Sequence, residues 1–416
     1  MHFLMMLKEF LEDIKVQKLR AFLTTIAITW GTLAIILLMA FGTGLAFRMR
    51  QGLLNAGDQI IRIYGGQTTI KYQGLPSGRY IRLKEEDAMI LKNSIPQIQA
   101  VSANLGRYDV RLVYKDKIAT TFMEGVYPDF EFLRRMYPAS GGRFINEVDN
   151  AERRRVLFLG EVVARELFGE EDPIGKTLSL NGIPFTVIGI MPRKLQTAMN
   201  NGPDDRRAII PFSTFQSIYG DLYLDELIVK PIRTEDSDFV VHEVRRILGS
   251  KYRFDPTDER AIPMWDFIEQ DKVVSKVYLG INIFLAVIGV MTLIIAGIGV
   301  ANIMYVVVKE RTREIGIKRA IGAKKVHILS QFIFESLLIA IVGGGIGVLL
   351  AAGIIKLIWS LPAATDGAMA FLARPLLSTE VMLMAFSILG LIGLFAGLLP
   401  AMKAARIDPV EALRYE

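Results

Sequence analysis

The stretch VYLGINIFLAVIGVMTLIIAGIGVANIMYVVV, Val277 to Val308, has no charged residue along its whole length. About 20 apolar residues cross the ~30 Å hydrocarbon layer of a bilayer, so this run is long enough to span one. Three further stretches have the same character: Ala21 to Phe47, Ser336 to Ile355 and Val381 to Met402. Lipid offers no hydrogen-bond partner to an open strand edge, so each is expected to be helical. The first is too long for the core of a cleaved signal peptide, and no small-x-small site follows it.

Basic residues flank these spans unevenly. Lys8, Lys15, Lys18 and Arg20 precede the first, and Lys309, Arg311, Arg313, Lys318, Arg319, Lys324 and Lys325 link the second to the third. Lys403, Arg406 and Arg414 follow the fourth, whereas the link between the third and fourth carries Arg374. Short loops rich in Lys and Arg stay in the cytoplasm. Both termini are therefore expected in the cytoplasm, and the long region between spans one and two outside. The formal charge of +6 is thus a topology signal, and no nucleic-acid partner is expected.

The expected fold class is an α+β membrane protein with four transmembrane helices and a large extracytoplasmic α+β domain inserted between helices 1 and 2. Residues 1–20 read as an amphipathic helix on the inner face, with Phe3, Leu7, Phe10, Leu11 and Ile14 at helical spacing. Span one is assigned to 21–47, the outer domain to 48–263, and a stalk with span two to 264–308. A cytoplasmic helix at 309–325, span three at 326–357, an outer loop at 358–379, span four at 380–402 and a tail at 403–416 complete the chain.

Within the outer domain, alternation and turn residues place strands at Asp58 to Tyr64, on either side of Lys115-Asp116-Lys117, at Thr177 to Leu180 and at Ile183 to Met191. Further strands are expected at Ala208 to Pro211 and Leu224 to Lys230. Helices are expected at Lys84 to Asn93, Gly160 to Phe168, Ser213 to Tyr219 and Asp238 to Leu248. Two subdomains are anticipated, the second inserted between the halves of the first. From Met264 a single helix is expected to run without interruption into span two.

GEEDPIGKT, Gly169 to Thr177, ends like a phosphate-binding loop. Five residues instead of four separate its first glycine from Gly175-Lys176, and Glu170, Glu171 and Asp172 would repel a phosphate. It reads as a helix-to-strand turn; a cation site on its three acids lacks the ligand spacing of a calcium loop. There is no cysteine, and His2, His242 and His327 lie far apart. Thiolate or histidine metal sites and cysteine or histidine catalysis are therefore not expected, and no membrane-enzyme constellation of nucleophile, metal cluster or acid–base pair is evident.

KERTREIGIKRAIGAKK, Lys309 to Lys325, carries opposite charges three or four positions apart: Glu310 with Arg313, Arg311 with Glu314, and Glu314 with Lys318. Such pairs favour a helix by a few tenths of a kcal/mol each. Ile315, Ile317 and Ile321 offer apolar contacts, and Gly322 can end the helix. On charge alone the segment is either a docking helix for a soluble partner or a plain positive-inside loop.

Lys309 to Ile341 resembles the signature of the FtsX/MacB-type permeases of ABC transporters, in Glu310 to Ile317, Gly322-Ala323, Gln331-Phe332 and Glu335. KLRAFLTTIAI at Lys18 to Ile28, Val156 to Met191, and PAMKAARIDPVEALRYE at Pro400 to Glu416 are similar to other parts of that family, in its order. The resemblance implies that two copies, or two related permeases, pair, and that ATP-driven closure of attached ATPase subunits is transmitted to the outer domain. It also implies porter-like and sabre-like subdomains and, often, a membrane-fusion adaptor. The ATPase is expected as a separate polypeptide holding the ATP and Mg, with no cofactor on this chain. The implied product is export of a hydrophobic or amphipathic substrate; an FtsX-like signal transducer acting on a cell-wall hydrolase is the alternative.

Glu310, Arg311, Arg313, Glu314, Ile317, Lys318, Arg319 and Gly322 are the expected ATPase-coupling residues. Asp408, Pro409 and Glu411 fit the cap and first turn of a terminal helix. Glu335, near the inner end of span three, costs energy in lipid unless it is paired or hydrated, and interfacial anchoring is favoured over a proton relay. Gly343, Gly344, Gly345 and Gly347 are expected to let span three approach another helix closely.

Overall fold

The computed structural model describes residues 18–196, 201–361 and 374–406. In chain order its main elements are α1 (Lys18–Ala56), β1 (Ile61–Ile63), α2 (Glu85–Ser94), β2 (Ile98–Tyr114) and β3 (Lys117–Val126). Two short helices, α3 (Phe130–Leu133) and α4 (Glu147–Ala151), precede β4 (Val156–Gly160), α5 (Glu161–Phe168), β5 (Thr177–Leu180) and β6 (Ile183–Met191). Then come β7 (Arg207–Pro211), α6 (Phe212–Tyr219), β8 (Glu226–Pro231), α7 (Ser237–Tyr252) and β9 (Met264–Asp266). The rest is helical: α8 (Phe267–Glu310), α9 (Thr312–Ala320), α10 (Lys325–Ser360) and α11 (Thr379–Ala405). The expected amphipathic helix over 1–20 falls almost wholly, and the terminal helix at Asp408 to Glu411 wholly, outside the described residues.

Four of these helices, α1, α8, α10 and α11, are long and apolar enough to cross a membrane. The chain divides into two compact units, residues 1–48 with 276–416 and residues 49–275.

The second unit is built around one unusually long strand. At 17 residues β2 exceeds the usual strand length, and its two halves serve two different sheets. Residues 98–104 pair with β8 in a small antiparallel sheet ordered β2-β8-β1-β9. Residues 105–114 pair with β3, and Leu112 and Val113 pair with β5. The order β2-β3-β7-β4-β6-β5 then returns to β2, closing a six-stranded barrel. A bulge between Arg107 and Val110, with Asp109 at φ 57, increases the twist where the strand enters the barrel. Closure removes the exposed edges that open sheets must protect. The small sheet takes its strands from both ends of the insert and the barrel takes its strands from the middle. Strands β4 and β7 are buried along their whole length, whereas β6 alternates, with one face in the core.

Between the sheets lies a buried network of ions. On the small sheet Arg62 binds Glu226, whose other oxygen accepts from Asn104 Nδ2 at 2.9 Å. On the barrel Arg207 Nη1 binds Glu124 at 2.6 Å and its Nε lies 3.0 Å from Asp204. Arg134, Lys194 and Gln196 also bind Asp204, at 2.9, 2.9 and 2.7 Å. Burial pushes the Asp204 carboxyl up, but these cations overcome it and leave the group below its ordinary value. Lys194 is pulled the other way, down to about 8, by burial.

Two sequence expectations need correction. Residues 264–266 do not begin the long helix; they form β9, paired in register with β1. The helix starts at Phe267 because the Asp266 carboxylate accepts from the backbone N–H groups of Ile268 (2.7 Å) and Glu269 (3.2 Å), capping the first turn. The second concerns the strand expected at Asp58 to Tyr64, which is confined to three residues. Asp58 instead receives salt bridges from Arg135 and Lys230, both at 2.9 Å, and Gln59 adopts φ 57, which breaks the extended backbone.

GEEDPIGKT is the expected turn. The Gly175 N–H donates to Val187 O and the Lys176 N–H to Pro173 O, so these amides are committed to the fold. Lys176 Nζ pairs with Glu171 at 2.5 Å, and Lys115 pairs with the same carboxylate at 3.2 Å. Those hydrogen bonds, to Lys176 first, hold the Glu171 carboxyl down at about 2.

Candidate coupling site at residues 309–325

The membrane unit is packed through small residues. A Cβ on Gly343 would lie 3.0 Å from Ile28 and Thr25 O of α1, and one on Gly347 would lie 2.8 Å from Thr29 O. Thr29 Oγ1 donates to Gly343 O at 2.9 Å across the same contact. Gly344 faces α11, where a Cβ would meet Leu389 Cδ2 at 2.0 Å. Gly345 has nothing within 4 Å of such a Cβ. The glycine run therefore packs α10 against α1 on one side and α11 on the other, within the one chain. Gly345 lies outside both contacts.

At one end of this bundle α8 passes into α9 with Arg311 as the only intervening residue. Thr312 explains the near-continuity: its Oγ1 donates back to Val308 O (3.1 Å) and Lys309 O (2.8 Å). α9 ends at Ala320, and Gly322, at φ +101, supplies the left-handed backbone that turns the chain towards α10.

The eight candidate coupling residues divide by direction. The Glu314–Lys318 pair forms at 2.9 Å, and Glu310, Arg313, Glu314 and Ile317 are exposed, as is Gly322. Ile317 is 43% exposed and lies one turn from Glu314 on the outward side of α9, and Ile321, which caps the helix, is 82% exposed. Ile315, by contrast, is buried in the core of the membrane unit. Arg311, expected beside Glu314, reaches Glu335 of α10 at 3.3 Å, and both side chains are largely buried. Arg319 Nη1 donates to Ala405 O, in the last turn of α11, at 2.6 Å. Sequence spacing could not supply these two ties, because their partners lie 24 and 86 positions away. The only signal was Glu335 itself, an acid in an apolar helix that requires a cation.

Residues 21–247 match the MacB-like periplasmic core domain and residues 286–409 match the FtsX-like permease C-terminal region. The macrolide export ATP-binding/permease protein MacB of Bdellovibrio bacteriovorus is 31% identical over 412 residues, 97% of this chain and 61% of that protein. The protein of the same description from Chlorobaculum tepidum is 33% identical over 408 residues, 97% of this chain and 60% of its own length. This chain thus spans about three fifths of the curated relatives it matches. The crystal structure of the periplasmic region of MacB from Actinobacillus actinomycetemcomitans aligns with a TM-score of 0.42 and 20% identity, covering 54% of this chain and 96% of that one. With its four membrane-length helices and a core domain of this type between the first two, the chain belongs to the MacB/FtsX-like permease family.

Proposed function

We propose that this chain is the mechanical permease subunit of an ABC transporter. ATP hydrolysis by an ABC ATPase displaces residues 309–325, and the four-helix unit carries that displacement to the outer domain, which expels a hydrophobic or amphipathic substrate. ATP and Mg belong to the ATPase. A second permease copy, or a related permease, and a membrane-fusion adaptor complete the assembly in a bacterial inner membrane, with the termini in the cytoplasm and the outer domain in the periplasm.

The observation that carries this reading is the outward face of α9. Ile317 and Ile321 are apolar and exposed on a segment otherwise rich in charge. Glu314 and Ile317, three positions apart on α9, and the exposed Ile321 that caps its end suit docking into a groove on a soluble partner. Reversing charge at Glu310 and Glu314 together is expected to weaken co-purification of the ATPase from native membranes. Unchanged co-purification would refute the docking role. An adaptor among the captured proteins favours export over the signal-transducer alternative, in which a cell-wall hydrolase would be captured in its place.

A further inference from the structure

We propose that the Arg311–Glu335 ion pair and the Arg319–Ala405 hydrogen bond form a latch that fastens α9 to α10 and α11. A push on α9 then enters three helices together. Arg311, Glu335 and Arg319 are on this account positioning residues and not contacts to a partner. The inference rests on the reading of residues 309–325 as the driven segment.

Along the chain α9 is joined to its neighbours through Arg311, to α8, and through the turn at Gly322, to α10, and Ile315 packs it against the core of the membrane unit. Gly322 is exposed, and a Cβ placed on it would meet nothing within 4 Å; the turn is held by the Gly322 and Ala323 N–H groups, which donate to Arg319 O and Lys318 O, and by Ala323 against the core. Without the two ties, displacement of α9 would reach α10 chiefly through this short turn. The two ties bypass it. Glu335 lies ten residues inside α10, roughly 15 Å along its axis from Lys325 at 1.5 Å per residue. The Arg311 pair therefore grips α10 within its body. Gln331, one turn earlier, also approaches Glu335 Oε1, at 3.5 Å, and helps to orient the carboxylate.

Arg319 grips the other helix at its terminus. Ala405 ends α11, so its carbonyl is among the last four that find no partner within the helix. A guanidinium there satisfies an orphan acceptor and meets the negative end of the helix dipole. Ile315, buried between the two arginines in sequence, adds an apolar contact to the same fastening. The latch also accounts for two features of the sequence that docking leaves unexplained. These are the acid within the apolar span and the arginines of the charged segment that point inward.

The chain contains no cysteine, so spin labels attach only where cysteines are introduced. Labels at Ile321→Cys and Met402→Cys, both at exposed positions, report the separation of the end of α9 from α11. The full chain in nanodiscs is expected to give one narrow distance distribution. Glu335→Gln and Arg319→Gln should each lose it, and the exchange Arg311→Glu with Glu335→Arg should restore what Glu335→Gln removes. A wild-type distribution in Glu335→Gln, or no restoration by the exchange, would overturn the latch. If Glu335→Gln does not fold, Arg319→Gln alone decides, since its partner is a main-chain carbonyl. These measurements need no ATPase, so they stand or fall apart from the proposed function. In a complex with captured ATPase, adding ATP should leave the wild-type distance unchanged and shift it in Glu335→Gln, where α9 slips. A shift in the wild type would contradict the proposal.

Discussion

Asp204 shows how much can depend on one side chain. It is fully buried and binds Arg134, Lys194 and Arg207. Removing it would leave those cations buried without their shared counter-charge. Breaking a buried ion pair from one side costs about 3–5 kcal/mol, so Asp204→Ala is expected to destabilise the outer domain by at least about 3 kcal/mol in urea unfolding. A loss below about 1 kcal/mol would mean that water reaches the cluster. Lys194 gives the same cluster a pH signature. Its folded value of about 8 lies below the ordinary lysine value of about 10.4, so between these the unfolded chain holds a proton that the folded chain has released. The contribution of this group to stability therefore rises with pH across that window. The difference in unfolding free energy between wild type and Lys194→Met, followed over the same range, should show that slope; a flat difference would contradict it. None of this was legible in the sequence. Asp204, Arg207 and Arg134 look like ordinary surface residues until the closure of the barrel places them between two sheets.

At the scale of the element, the glycines of α10 separate into distinct cases. A methyl at Gly347 would meet the backbone oxygen of Thr29, which cannot move without shifting α1, whereas at Gly344 it would meet the flexible end of Leu389. Gly347→Ala is therefore expected to cost more than Gly344→Ala, within the range of about 1–3 kcal/mol for an overpacked contact. Gly345→Ala, facing open space, should cost nothing. Thermal melting of the three variants in detergent gives the order, and equal losses at all three would argue against close packing as the reason for the run. Many elements were legible beforehand because period and turn chemistry agreed. The strands at Thr177 to Leu180 and Ile183 to Met191 meet at Asn181-Gly182, where both residues have positive φ, as that turn requires. The sequence misled where a local signal met a tertiary one. Met264 to Asp266 continue an apparently helical pattern, yet pairing with β1 outweighs it. The division of β2 between two sheets was also invisible, because the alternation of a strand does not say which neighbour each half will find.

For the whole molecule, the four spans, the inserted α+β domain and the family follow from long-range features that one sequence displays directly: hydropathy, charge asymmetry and motif order. What it could not display was direction. Eight residues were candidates for one coupling surface, and the fold turns Glu314 and Ile317 outward while Arg311 and Arg319 grip neighbouring helices. The central claim is that α9 is the point at which force from an ATPase enters the chain. A photo-crosslinking amino acid in place of Ile321, 82% exposed at the end of α9, tests this in intact cells. The account predicts a covalent adduct with an ABC ATPase. Adducts with periplasmic proteins, and none with an ATPase, would contradict it.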